Sequence, residues 1–330
     1  MKIISESHND NLTKKEGGYL AVLFLILVLA FSYIISNKTD VVYADYGEFS
    51  EEEIAMQMTD DRIEDLYKNL DLKASSVLIY DSSSKKNIFA KNTETVYPLA
   101  SLTKVMTAIV AMEEISKDEN ITIPKEALSQ TGDNGLLAYE KWGRDDLLKF
   151  VLITSSNDGT RALAMHVGSK NGFTEEEKAV EFFVSKMNKK AKVLGLTNTI
   201  FYNESGLDVN PEKNGGYSTA KEMVALFDYA ISKYPEIFES TIFSSQSFVS
   251  LSNKSHEAQN TNQNTGKVAG ISASKTGFTS IAGGNLIISF KSNNGGNVIV
   301  LALGSTFIER FSDIEKLSST TINIINEVQL

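Results

Sequence analysis

Near the end of the chain two apolar runs, residues 284–290 and 297–303, flank Asn293-Asn294-Gly295-Gly296. No other feature restricts the fold as much. Asn-Gly pairs accept the positive φ of a tight turn, so two apolar strands joined this closely read as a hairpin. A second hairpin opens the body of the chain, with strands over 76–81 and 86–90 and a turn at Asp81-Ser82-Ser83-Ser84. Between the hairpins the apolar period changes to three and four. Residues 101–115 carry Leu102, Val105, Met106, Ile109, Val110 and Met112, which predicts a helix. Further helices are predicted over 144–153, 175–193 and 219–232, and residues 308–328 form a closing amphipathic helix. Strands at both ends and helices between them predict an α/β (α+β) chain. Its antiparallel sheet is built from both termini and flanked by helices, and the middle forms a mainly helical lobe.

The 330 residues are 42% apolar and 22% charged, an ordinary globular composition. Cysteine is absent, which removes disulfides, thiol nucleophiles and iron–sulfur clusters. His8, His166 and His256 lie far apart, so the sequence implies no metal and no cofactor. His166 reads as a core or boundary residue, and Trp142 as loop packing. The net charge of −10 and pI near 5.0 argue against a nucleic-acid partner. Most of that charge is local: from Asp40 to Leu72 eleven acidic side chains face only Arg62 and Lys68. This reads as a solvated, partly helical linker over 37–72.

Upstream, residues 19–35 are apolar except for Ser32, and no charge falls between Glu16 and Lys38. Seventeen helical residues span about 25 Å, near the lower limit for a bilayer core. Lys2, Lys14 and Lys15 precede the run, and Ser32-Tyr33-Ile34-Ile35-Ser36 is a poor cleavage site. The expected organisation is a cytoplasmic leader (1–17), an uncleaved transmembrane signal-anchor (18–36), the acidic linker (37–72) and a catalytic domain (73–330). The catalytic domain is expected outside a cell membrane crossed once.

Three short patterns carry chemistry. Ser101-Leu102-Thr103-Lys104 opens the first long apolar helix, and residues three apart on a helix project to the same side. Lysine in an apolar setting can take the proton of a serine hydroxyl, which is a weak nucleophile until a base does so. The spacing alone carries little, because Ser82/Lys85, Ser83/Lys86, Ser218/Lys221 and Ser272/Lys275 share it. Ser155-Ser156-Asn157 follows a predicted helix and offers a hydroxyl and an amide. Lys275-Thr276-Gly277 offers a cation, a hydroxyl and a residue without a side chain, shortly before a predicted strand.

In that order the three patterns match S-x-x-K, a relaxed S-x-N and K-T-G. The chain resembles the serine-type D-Ala-D-Ala carboxypeptidases, the low-molecular-mass penicillin-binding proteins of the β-lactamase/transpeptidase-like superfamily. Ala100–Ala108, Ser155-Ser156-Asn157-Asp158, Asn203-Glu204-Ser205-Gly206-Leu207-Asp208, Tyr217-Ser218-Thr219-Ala220, Asn260-Thr261-Asn262 and Lys275–Thr279 carry the resemblance. It implies that Ser101 attacks the carbonyl between two terminal D-alanines of a peptidoglycan stem peptide and that Lys104 accepts its proton. Ser155 would relay a proton to the departing D-alanine, and Asn157 would hold Lys104 or the substrate amide. Lys275 and Thr276 would bind the terminal carboxylate. Gly277 would leave room for the substrate, and the N–H groups of Ser101 and Phe278 would form an oxyanion hole. β-Lactams are the expected inhibitors. Ser156 stands where the family has glycine, and Glu204 where proline or another neutral residue is common.

Three other readings share these residues. A D,D-endopeptidase would use the same groups on cross-links, and an inactive membrane-tethered module would only bind cell-wall peptides. A class A β-lactamase needs a Glu-x-x-x-Asn segment, but four residues after Glu204 stands Asp208, so Glu204 is not assigned a catalytic role.

Overall fold

The computed structural model describes residues 61–132, 135–292 and 295–328. By contact the chain divides into two units, Met1–Met58 and Thr59–Leu330. The first unit, with the expected leader and anchor, lies outside the described residues. No helix among the described residues is long and apolar enough to cross a membrane.

The second unit is organised on a five-stranded sheet. Its strands are β1 (Ser76–Asp81), β2 (Lys86–Lys91), β3 (Ile271–Thr279), β4 (Gly283–Lys291) and β5 (Asn297–Ser305), in the order β3-β4-β5-β1-β2. All neighbours are antiparallel. The hairpin read from the sequence is β4–β5. Asn293 and Asn294 of its turn lie outside the described residues, and Ser292 N–H donates to Gly296 O at 2.9 Å beside them. The two ends of the domain meet where β1 pairs with β5, from Ser76 opposite Leu303 to Asp81 opposite Val298.

Alternation along these strands sends apolar side chains to both faces. Val77, Ile79, Leu286, Ile288, Val298 and Val300 cluster with Phe311, Ile314 and Leu317. The opposite set, Leu78, Ile287, Ile299 and Leu301, joins the larger core shared with the helical lobe. Burying one such side chain contributes roughly 1.5–3 kcal/mol, so the sheet is a firm platform for its edge strand β3.

The helices are α1 (Lys104–Glu114), α2 (Arg144–Thr154), α3 (Asn157–Lys170), α4 (Glu176–Val193), α5 (Ala220–Lys233) and α6 (Glu309–Val328). α2, α4, α5 and α6 agree with the periodicity to within a residue or two; the periodicity gives no bounds for α3, and α1 departs from the expectation at its start. There Ala100–Thr103 forms a 3₁₀ turn, so Ser101 precedes the α-helix. Every residue from Lys104 to Ala111 is buried, which makes α1 the central helix of the molecule.

Packing also extends upstream of residue 73. Residues 61–68 are helical, and Tyr67 is buried, stacked on Phe89 at 4.8 Å with its hydroxyl 2.9 Å from Thr321 Oγ1. The acidic composition hid this. Ile63, Tyr67, Leu70 and Leu72 pack on the sheet while the neighbouring carboxylates face outward. Trp142 is buried against Phe150, Phe248 and His256, but on a short strand, Lys141–Gly143, rather than in a loop.

Candidate active site

The 3₁₀ turn that presents Ser101 is held in an uncommon conformation. Ala100 has φ +48°, a left-handed value that costs a non-glycine residue roughly 1–3 kcal/mol. Amide side chains from two distant segments fix it. Ala100 N–H donates to Asn214 Oδ1 at 3.2 Å, and Asn285 Nδ2 donates to the carbonyls of Pro98 and Leu99 at 3.0 Å. Gly206 packs so closely that a Cβ there would lie 1.9 Å from Ala100 O.

One turn on, Lys104 is wholly buried. Its Nζ donates to Ser101 Oγ at 3.0 Å, to Asn157 Oδ1 at 2.7 Å and to Ser205 O at 2.7 Å. Burial pushes its pKa down to about 7, against the upward pull of the Glu204 carboxylate. A lysine in that range is substantially neutral near pH 7 and can act as a base.

The second pattern forms the corner between α2 and α3. Ser155 ends α2 in the left-handed region, φ 61° and ψ 33°. Ser156 caps α3 by accepting from Gly159 N–H at 3.0 Å. This turn places Asn157 at the first position of α3, where its Nδ2 also donates to Thr131 O at 2.6 Å.

The third pattern lies on β3. Lys275 is buried and donates to Ser155 Oγ at 2.8 Å and to Thr276 O at 2.9 Å. Burial, then the positive charges of Lys104 and Arg310, hold its ammonium well below the usual lysine range. The hydroxyls of Thr276 and Thr261 lie 2.6 Å apart. A Cβ on Gly277 would fall 2.7 Å from Leu99 O and 3.2 Å from Ser101 N. Glycine therefore lets β3 approach the serine turn. Phe278, half exposed, meets Phe307 edge-on at 4.9 Å.

Ser101, Lys104, Ser155, Asn157, Lys275, Thr276, Gly277 and Phe278 thus converge from three segments. A hydroxyl, a partly neutral amine, a second hydroxyl on a buried lysine and a β-strand edge suit acyl transfer through a serine ester. Sequence reasoning missed several supports. Asn214 and Asn285 sit in no recognised pattern, and Arg310 reaches β3 from α6, donating to Gly277 O at 2.7 Å. Nothing local marks them. Glu204 is fully buried with Arg161 Nε 3.0 Å from its carboxylate, so its side chain does not open to solvent. His166 pairs with Glu119 and His256 with Glu140, and neither joins the cluster.

A family model described as Peptidase_S11, D-alanyl-D-alanine carboxypeptidase, matches residues 63–306. The chain belongs to the D-alanyl-D-alanine carboxypeptidase family. It is 31% identical over 251 residues to the D-alanyl-D-alanine carboxypeptidase DacF of Bacillus subtilis, covering 74% of this chain and 61% of that one. It is also 31% identical over 227 residues to a D-alanyl-D-alanine endopeptidase of Pseudomonas aeruginosa, covering 66% of this chain and 67% of that one. Penicillin-binding protein D2 of Listeria monocytogenes, in its ampicillin-bound form, superposes with a TM-score of 0.63 at 29% identity, covering 76% of this chain and 98% of that one. The fold of this family member is accordingly that of the penicillin-binding proteins. The chain spans about three fifths of the length of its Bacillus relative.

Proposed function

We propose that this protein is a serine-type D-alanyl-D-alanine carboxypeptidase that removes the terminal D-alanine from peptidoglycan stem peptides. The observation that carries the reading is the 3.0 Å contact between Ser101 Oγ and the fully buried Lys104 Nζ. Neutral Lys104 takes the Ser101 proton as Oγ bonds to the carbonyl carbon of the penultimate D-alanine. The resulting oxyanion is held by the N–H groups of Ser101 and Phe278, a kind of donor whose loss typically costs ~10²–10³ in rate. The intermediate collapses, the C–N bond breaks, and Ser155 relays the proton held by Lys104 to the leaving D-alanine nitrogen, which returns Lys104 to its neutral form. Lys275 Nζ orients the Ser155 hydroxyl by donating to its Oγ, and with Thr276 it receives the terminal carboxylate. Water then adds to the acyl carbon, giving its proton to Lys104, and Ser101 leaves as the free hydroxyl. β-Lactams would acylate the same serine.

The apolar run over 19–35 and its preceding lysines support a single uncleaved anchor with the domain outside a cell membrane. The test is incubation with a peptide ending in Lys-D-Ala-D-Ala and assay of free D-alanine. Release supports the carboxypeptidase. Cleavage confined to cross-linked dimers makes the protein an endopeptidase, a reading favoured by its Pseudomonas relative. Binding without cleavage of either substrate leaves only the binding module.

A further inference from the structure

Arg161, outside the recognised patterns, and Glu204, within the Asn203–Asp208 segment, form a largely buried ion pair next to the base. Arg161 lies one helical turn after Asn157 on α3, so both project from the same face. Its Nε is 3.0 Å from Glu204 Oε1, and the Glu204 side chain has no exposure. Glu204 is the residue before Ser205, whose carbonyl accepts from Lys104 Nζ at 2.7 Å. The Glu204 carbonyl accepts from the Thr107 hydroxyl of α1. Arg161 Nη2 also donates to the side-chain Oε1 of Gln130 at 3.2 Å, and the backbone carbonyl of the next residue, Thr131, takes the Asn157 amide at 2.6 Å. The contacts close a ring. It runs from Lys104 to Asn157, along α3 to Arg161, across to Glu204, and through Ser205 back to Lys104.

We propose that Arg161 and Glu204 are positioning residues for Lys104, locking together the two segments that supply its acceptors and setting a buried carboxylate, paired with Arg161, on the residue next to its Ser205 acceptor. This rests on Lys104 being the base of the proposed reaction. Lys275 on β3 interacts electrostatically with Lys104 and with Arg310 of α6, and the Glu176 carboxylate of α4 lies 3.7 Å from Arg161. Ionised Glu204 favours the protonated amine and opposes the burial that favours the neutral one, while its own burial raises its pKa against the pull of Arg161. Removing the Glu204 charge therefore makes Lys104 easier to deprotonate.

The test is the acylation rate by a fluorescent penicillin between pH 5 and 9, using the full chain in detergent. Wild type, Glu204→Gln, Glu204→Asp and the double variant Arg161→Met/Glu204→Gln are compared, with folding checked by circular dichroism. In Glu204→Gln the acidic limb moves down by about one pH unit, so the variant holds a larger share of its own plateau at pH 6. Glu204→Asp keeps the charge and leaves the limb in place. The double variant, which leaves no unpaired buried charge, also shifts downward and carries the test if the single variant does not fold. A folded Glu204→Gln or double variant with the wild-type limb overturns the proposal, whatever its plateau, because a packing role alone lowers the rate without moving the limb. Failure of wild type to acylate at any pH would instead count against the proposed function itself.

Discussion

Lys104 carries three hydrogen bonds and no solvent exposure, and this sets the pH behaviour of the site. Burial lowers its pKa to about 7, so the amine is mostly protonated below that pH and mostly neutral above it. The acylation rate should rise through pH 7 to a plateau and fall about tenfold per unit below it, roughly a hundredfold by pH 5. A penicillin acylation profile checks this, and a limb near the ordinary lysine value would remove burial as the cause. At this scale the sequence was informative where chemistry and spacing coincide. Ser101 and Lys104 are three apart on a helix start, and Lys275-Thr276-Gly277 occurs once. It was silent on Asn214 and Asn285. Their amides hold the turn at Ala100 from more than a hundred residues away, and only the completed topology brings them there.

The active serine is set by three elements meeting edge to edge: the 3₁₀ turn before α1, the α2–α3 corner and β3. Gly277 decides how near the last can come. A methyl group there would sit 2.7 Å from Leu99 O, backbone that cannot yield without moving the serine turn. Gly277→Ala should slow acylation about a hundredfold, since small displacements of reacting groups cost that much. Comparing the acylation rates of the variant and wild type at pH 8 checks this; equal rates would show that the turn and strand have slack. Five of the six helices and the two hairpins at the ends of the domain were legible because their periods of 3.6 and 2 are written in contiguous residues. The 3₁₀ start of α1 was not. It depends on the left-handed Ala100, a residue type that gives no warning of positive φ.

In the molecule as a whole, one sheet built from both ends of the domain supports the site, and α6 and the 61–72 segment cover its far face. Tyr67 fastens that segment through Phe89 and Thr321. Tyr67→Ala should destabilise the domain by about 3 kcal/mol, from the lost burial and the cavity left behind. Urea unfolding checks this, and a change below roughly 0.5 kcal/mol would mean the segment is only laid on the surface. The charge pattern assigned these residues to a linker because a count of carboxylates does not register apolar side chains spaced between them. The account as a whole stands on Ser101 being the nucleophile and Lys104 its base. Peptide mapping after exposure to benzylpenicillin tests that most directly. A single adduct on Ser101 that disappears in folded Lys104→Ala is the predicted result; an adduct on any other residue, or wild-type labelling in Lys104→Ala, would contradict it.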